Sequence, residues 1–178
     1  MGTILTCFLI AVSLSMDAFS MALIYGTYGL SKRNEVLLAG VVGIFHFFMP
    51  LLGLGLGSII MQYFVFDLNL MVGIIFLIIG IEMIISALKE EEVKILVSLV
   101  GFLLFGLSVS IDSFTTGIGL SVISKNYVGV SALFMVVSGV FTYVGLRFGN
   151  KLSDRFGKYA TISGGILMCL LSIYQMFG

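Results

Sequence analysis

The 178 residues are 60% hydrophobic and 10% charged, with 22 glycines, one proline and a formal net charge of zero. A mean hydropathy of +1.21 excludes a soluble globular domain, and the neutral balance, with no basic patch interleaved with aromatics, argues against nucleic-acid binding. Apolar runs of about twenty residues, enough to cross a hydrocarbon core, fill most of the chain.

Six helices are predicted in order, at 3–27, 36–60, 70–88, 96–122, 128–149 and 160–177. Open sheet edges are not viable in lipid, and the runs lack the alternation of barrel strands. The first run begins by Thr3 with no basic segment ahead of it and outlasts the apolar core of a signal peptide, so it is expected to stay as the first transmembrane helix. Polar breaks at Ser31–Asn34, Phe66–Asn69, Lys89–Glu92, Ser124–Asn126 and Asn150–Tyr159 separate the helices. Lys32, Arg33, Lys89, Lys94, Arg147, Lys151, Arg155 and Lys158 fall in the odd loops, against Lys125 alone on the other side. The positive-inside rule then makes the odd loops cytoplasmic and puts both termini outside.

Two phrases repeat. Ser13-Leu-Ser-Met-Asp17-Ala-Phe-Ser20 in helix one matches Ser108-Val-Ser-Ile-Asp112-Ser-Phe-Thr115 in helix four, and Gly43-Ile-Phe45 matches Gly139-Val-Phe141 in the helices that follow. Each half holds three helices, an odd number, so the second half inserts upside down relative to the first. The expected fold is an all-α membrane protein of six transmembrane helices in two inverted three-helix repeats, residues 1–90 and 96–178. An acidic cytoplasmic linker at 91–95 joins them. Inverted repeats of this kind place substrate sites near the membrane midplane.

A carboxylate at the bilayer centre costs about 2.5–3.5 kcal/mol on insertion scales, so one that recurs in the same context points to use. Ser13, Asp17 and Ser20 fall on one helical stripe, as do Ser108, Asp112 and Thr115 or Thr116. The hydroxyls either line a shared cavity or bond carbonyls of their own or a neighbouring helix. Two carboxylates with hydroxyl and carbonyl oxygens make a hard site for Mg²⁺, Ca²⁺ or Mn²⁺ and balance one divalent charge. Repulsion between the acids in the empty site would leave a proton there for the metal to displace, a route to metal–proton exchange.

His46, the single histidine, lies in helix two ahead of Pro50, and Thr142 occupies the matching place in helix five. His46 is either a ligand or proton relay, or a bond to a neighbouring helix. Glu82 in helix three is either an access-path acid or a surface group near the cytoplasmic end. Gly53-Leu-Gly-Leu-Gly57, with Gly145 and Gly149, reads as close-packing faces, and Glu90–Glu92 as a solvated linker. Cys7 and Cys169, without a paired spacing, read as small apolar core residues. No nucleophile–base pair is present, so neither an enzyme nor a cofactor is expected.

With these motifs in register, the whole chain resembles the MntP-type manganese efflux pumps of bacteria. The resemblance is carried by Ser15-Met-Asp17-Ala-Phe19, Ser110-Ile-Asp112-Ser-Phe114 with Gly117-Ile-Gly119-Leu120, Pro50-Leu-Leu-Gly53, Gly157-Lys158 and Gly164-Gly165. It implies a multi-pass protein of the bacterial cell (inner) membrane that exports Mn²⁺ as substrate, with Asp17 and Asp112 as the functional acids. The family commonly has Glu or Gln where His46 stands, Lys or Arg where Glu82 stands, and Glu where Ser86 stands; these differences bear on metal preference and coupling. The competing readings are a transporter of another metal or small solute, which metal competition would separate, and a non-transporting scaffold, which would move nothing in liposomes.

Overall fold

The computed structural model describes residues 2–60, 62–63, 67–89, 97–149, 151 and 154–177. The linker at 91–95, Lys94 and Asn150 lie outside the described residues. All regular structure among those described is helical: α1 (Thr3–Gly26), α2 (Lys32–Ile60), α3 (Leu68–Leu88), α4 (Leu99–Ser108), α5 (Ile111–Ile123), α6 (Tyr127–Phe148) and α7 (Asp154–Phe177). Among the described residues, six spans are long and apolar enough to cross a membrane, with α4 and α5 together forming the fourth.

Side-chain caps set several helix starts. Asp67 accepts from the backbone N–H of Asn69 at 3.0 Å, Ser98 from Gly101 at 3.0 Å and Asn126 from Gly129 at 3.1 Å, each satisfying a donor that the first turn would otherwise leave orphaned. Ser31 does the same for Asn34 at 3.3 Å, so α2 begins at Lys32, one turn before the predicted 36. Gly29, at φ +64°, reverses the chain between α1 and α2 in the left-handed region glycine tolerates. The last helix also starts earlier than predicted, at Asp154 instead of 160.

The fourth span corrects the expectation of one unbroken helix over 96–122. Val109 and Ser110 interrupt it, and the ladder tightens to i−3 bonds, Ser110 N–H to Leu107 at 3.2 Å and Ser113 N–H to Ser110 at 3.1 Å. Serine hydroxyls flank the break. Ser108 Oγ donates to the Phe105 carbonyl at 2.9 Å and Ser110 Oγ to Leu107 at 3.0 Å, both three residues back, where they compete with the helical pattern. In the matching phrase of α1, Ser15 donates to Ala11 four residues back at 2.6 Å, and Ser13 turns away to the Gly164 carbonyl of α7. That helix stays continuous.

The spans close into a ring in the order α1, α6, α2, α5, α3, α7 and back to α1, with α4 against α2 and only slight contact between α1 and α5. Every pair of helices in extended contact joins one of α1–α3 to one of α4–α7. Neither half therefore has a core of its own. Small residues set the packing directions. A Cβ on Gly145 would meet the Phe19 carbonyl at 2.7 Å, and one on Gly149 the Gly26 Cα at 2.7 Å, so α1 and α6 run parallel. Gly117 lies against Pro50, and Gly57 against Ile118 and Ser121, so α2 and α5 also run parallel. Gly43 meets Met135 and Gly139, while Gly139 meets Ala39, so α2 and α6 run antiparallel. Hence α1 and α5 point in opposite directions.

One ion pair ties α2 to α6. Glu35, 8% exposed, lies 3.6 Å from Arg147, whose side chain is half exposed. Removing the cation strands a buried carboxylate, whereas amidating the acid removes the charge itself. Arg147→Ala should therefore cost about 1–3 kcal/mol, and Glu35→Gln should cost less. Thermal unfolding of the purified protein checks the order, and equal losses would contradict it.

Candidate cation site

Two separate apolar clusters fill the bundle. One joins Ile10 and Leu14 of α1, Leu54 of α2, Phe76 and Met83 of α3, Leu120 of α5, Phe134 and Val137 of α6, and Met168 of α7. The other joins Ala18, Ala22 and Tyr25 of α1, Leu38 and Val42 of α2, Phe102, Phe105 and Val109 of the fourth span, and Leu146 of α6. On four spans a set of polar residues falls in the interval between the clusters. These are Ser15 and Asp17 on α1, His46 on α2, Ser110, Asp112, Ser113 and Thr116 on the fourth span, and Ser138 and Thr142 on α6. Unpaired polarity in a membrane interior costs several kcal/mol per group, so a layer with this much of it is the place to look for function.

The aspartates enter the layer differently. Asp17 is half-buried on an unbroken helix, while Asp112, also half-buried, sits in the first turn of α5 directly after the break. A helix N-terminus favours an anion and leaves backbone N–H groups free nearby. The charge of Asp112 acts on Asp17, and that of Glu82 acts on both aspartates. Glu82 is exposed on α3. Gly73 meets Ser172 and Gly80 meets Gly165 of α7, while Gly157 meets Ser20 and Gly164 meets Ser13 of α1, so α3 runs with α1 and against α5. Gly119 of α5 faces Val72 and Phe76 of α3, and two turns along each helix bring Asp112 to the level of Glu82. Among the described residues, no three His, Cys, Asp or Glu side chains converge into a ready-made metal cluster.

The remaining predicted site residues separate into two groups. His46, Thr116 and Thr142 are fully buried, and His46 Nε2, Thr116 Oγ1 and Thr142 Oγ1 have no hydrogen-bond partner among the described residues. Ser20 and Thr115 are half-buried. Ser13 is spent on the Gly164 carbonyl, tying α1 to α7. Ser108 is exposed ahead of the break, so the regular stripe expected from Ser108 to Thr115 does not run through it.

Four residues were not singled out from the sequence. Ser113 is fully buried beside Asp112, and its hydroxyl is unpartnered among the described residues. Ser138, one turn before Thr142, lies 2.8 Å from Ser15 across α1 and α6. Thr161, 2% exposed, shares a stripe of α7 with Gly157 and Gly164, which pack on Ser20 and Ser13; it therefore lies across from Asp17. Glu35 is the fourth, at the α2–α6 ion pair. A 220 Å³ cavity between Thr3, Thr6, Asn69 and Gln175, and a 370 Å³ apolar one beside Phe19, Phe141 and Phe156, are not lined by the aspartates. Cys7 is buried in the first cluster and Cys169 is half-buried, both as free thiols.

No solved structure matches this chain. The family described as "Putative manganese efflux pump" matches residues 29–176. The protein named "Putative manganese efflux pump MntP" of Bacillus pumilus (strain SAFR-032) is 32% identical over 177 residues, covering 99% of this chain and 96% of the relative. Its namesake in Geobacillus thermodenitrificans (strain NG80-2) is 32% identical over 177 residues, at 99% and 97% coverage. The one in Halalkalibacterium halodurans is 32% identical over 162 residues, at 90% of each. With a family match over most of its length and relatives 32% identical over nearly all of it, the chain belongs to the manganese efflux pump family.

Proposed function

We propose that this protein exports Mn²⁺ from the bacterial cytoplasm across the inner membrane, through a midplane site built on Asp17 and Asp112. The observation that carries the reading is the polar layer between two apolar clusters, with one aspartate contributed by each copy of the repeated phrase. Two ionised carboxylates neutralise one divalent cation, so loading leaves no net charge in the low-dielectric interior. Hydroxyls of Ser20, Thr115, Thr116 and Thr142 supply further oxygen donors of the kind Mn²⁺ accepts. A proton shared by the acids in the unloaded state leaves when the metal enters and returns when it departs, which couples export to proton uptake.

Alternating access is attributed to the two halves acting as inverted repeats. The opposed directions of α1 and α5 support this, as does the meeting of Gly43 with Gly139, since corresponding residues near a two-fold axis contact one another. The loop-charge bias supports an orientation with both termini outside and Glu82 on the cytoplasmic approach.

Mn²⁺ flux into or out of proteoliposomes is the test, with wild type beside the Asp17→Asn/Asp112→Asn double variant. Saturable flux in the wild type and none in the double variant is expected. Equal flux in both would remove the site, and no wild-type flux would remove the substrate.

A further inference from the structure

Within that transport reading, on which this inference rests, we propose that His46 binds the transported cation directly through Nε2. It thereby tilts the site towards cations that accept nitrogen, such as Mn²⁺, Fe²⁺, Co²⁺ and Zn²⁺, and away from Mg²⁺ and Ca²⁺. The geometry of the ring comes first. Nδ1 lies 3.0 Å from the Val42 carbonyl. A carbonyl can only accept, so Nδ1 carries the hydrogen and Nε2 holds the lone pair. The same bond fixes the ring plane. Metal-binding histidines are held in this way, with the second nitrogen donating to a backbone carbonyl or carboxylate.

The lone pair is unspent. His46 is fully buried, and Nε2 has no partner among the described residues. A histidine kept only to join helices would use that nitrogen to accept from a neighbouring hydroxyl. Two such hydroxyls are at hand on α5, those of Ser113 and Thr116, and both are fully buried and likewise unpartnered. Their level follows from the packing: Gly117 lies against Pro50 on parallel helices, so one turn back on each brings His46 across from Ser113. Pro50 adds a further donor atom. It has no N–H to return to the carbonyl four residues earlier, which is that of His46 itself.

Position 46 thus offers an imidazole nitrogen and a backbone oxygen, and α5 adds two hydroxyls next to Asp112. Oxygen donors alone suit Mg²⁺ and Ca²⁺ as well as Mn²⁺. One imidazole shifts the order towards the later first-row metals.

The chain contains a single histidine, so any imidazole signal on a bound metal reports this residue. Tag-free full-length protein in detergent would be loaded with Mn²⁺ and examined by pulsed EPR. Coupling of ¹⁴N to the bound Mn²⁺ is expected in the wild type and its loss in His46→Gln, which keeps an oxygen donor. In proteoliposomes, Mg²⁺ should compete with Mn²⁺ flux at about tenfold lower concentration in His46→Gln than in wild type. Wild-type protein that binds Mn²⁺ without nitrogen coupling would overturn the role of His46 while leaving the transport reading intact. An unchanged Mg²⁺ ranking in the variant would do the same. Wild-type protein that binds no Mn²⁺ would overturn both. The wild-type spectrum decides even where the variant fails to fold.

Discussion

Asp17→Asn and Asp112→Asn should each lower Mn²⁺ flux by roughly a hundredfold or more while the protein still inserts and folds. With both acids in place, a divalent cation meets two negative charges; with one amide it brings an uncompensated positive charge into the membrane interior. Removing one partner of a buried ion pair costs about 3–5 kcal/mol, and every 1.4 kcal/mol is a factor of about ten in affinity. Insertion should not suffer, because a central Asp itself costs about 2.5–3.5 kcal/mol to place in the bilayer and Asn removes that charge. The two single variants should be alike, since each leaves one carboxylate to face a divalent cation. Ser20→Ala and Thr115→Ala, each losing one neutral oxygen from a half-buried position, should change flux by less than about tenfold. Flux assays with protein quantified in the membrane separate transport from yield. A single Asn variant retaining more than about a tenth of wild-type flux would show that its carboxylate is not a charge partner of the metal.

The spans were legible because hydropathy over about twenty residues is decided by the bilayer, whatever the tertiary contacts. Helix starts were less so: Ser31 extends α2 by a cap whose geometry is local. The break at Val109–Ser110 could not be read at all. The same serine-rich phrase gives a continuous α1 and an interrupted fourth span, and hydroxyl bonds three residues back, as at the break, also occur within the unbroken α2, α5 and α7. Spacing brought out Asp17, Asp112, His46 and Thr142, all of which fall between the two apolar clusters. It missed Ser113 and Ser138, although each stands next to or one turn from a residue already singled out, because a membrane serine is as often a helix-to-carbonyl bond as a lining group. Thr161 was hidden for another reason: only the antiparallel register of α7 on α1 sets it across from Asp17. Glu35, near a loop, reads as an interfacial acid until Arg147 is seen beside it.

Gly53→Val should be among the most destabilising single changes in the protein, of the order of 3 kcal/mol or more. A Cβ on Gly53 would run into the Phe114 carbonyl and lie 3.0 Å from both Gly117 Cα and Ile118 N. All three are backbone atoms of α5, so no rotamer change relieves the contact and the two helices must separate. Membrane helices gain most of their association from close packing, which a β-branched residue on such a seam removes. Gly55, two residues on, is the control: no heavy atom lies within 4 Å of a Cβ placed there, and Gly55→Val should unfold at nearly the wild-type temperature. The seam bears on the proposed site, because the contact between Gly117 and Pro50 sets the height of His46 against Ser113 and of α5 against the rest of the layer. Gly53→Ala, a smaller wedge, should therefore weaken Mn²⁺ flux by a larger factor than it weakens the fold. Thermal unfolding and flux measured on one preparation decide this: a Gly53→Val protein as stable as wild type would mean that α2 and α5 do not meet at this seam, and a Gly53→Ala protein with full flux would detach the seam from the site.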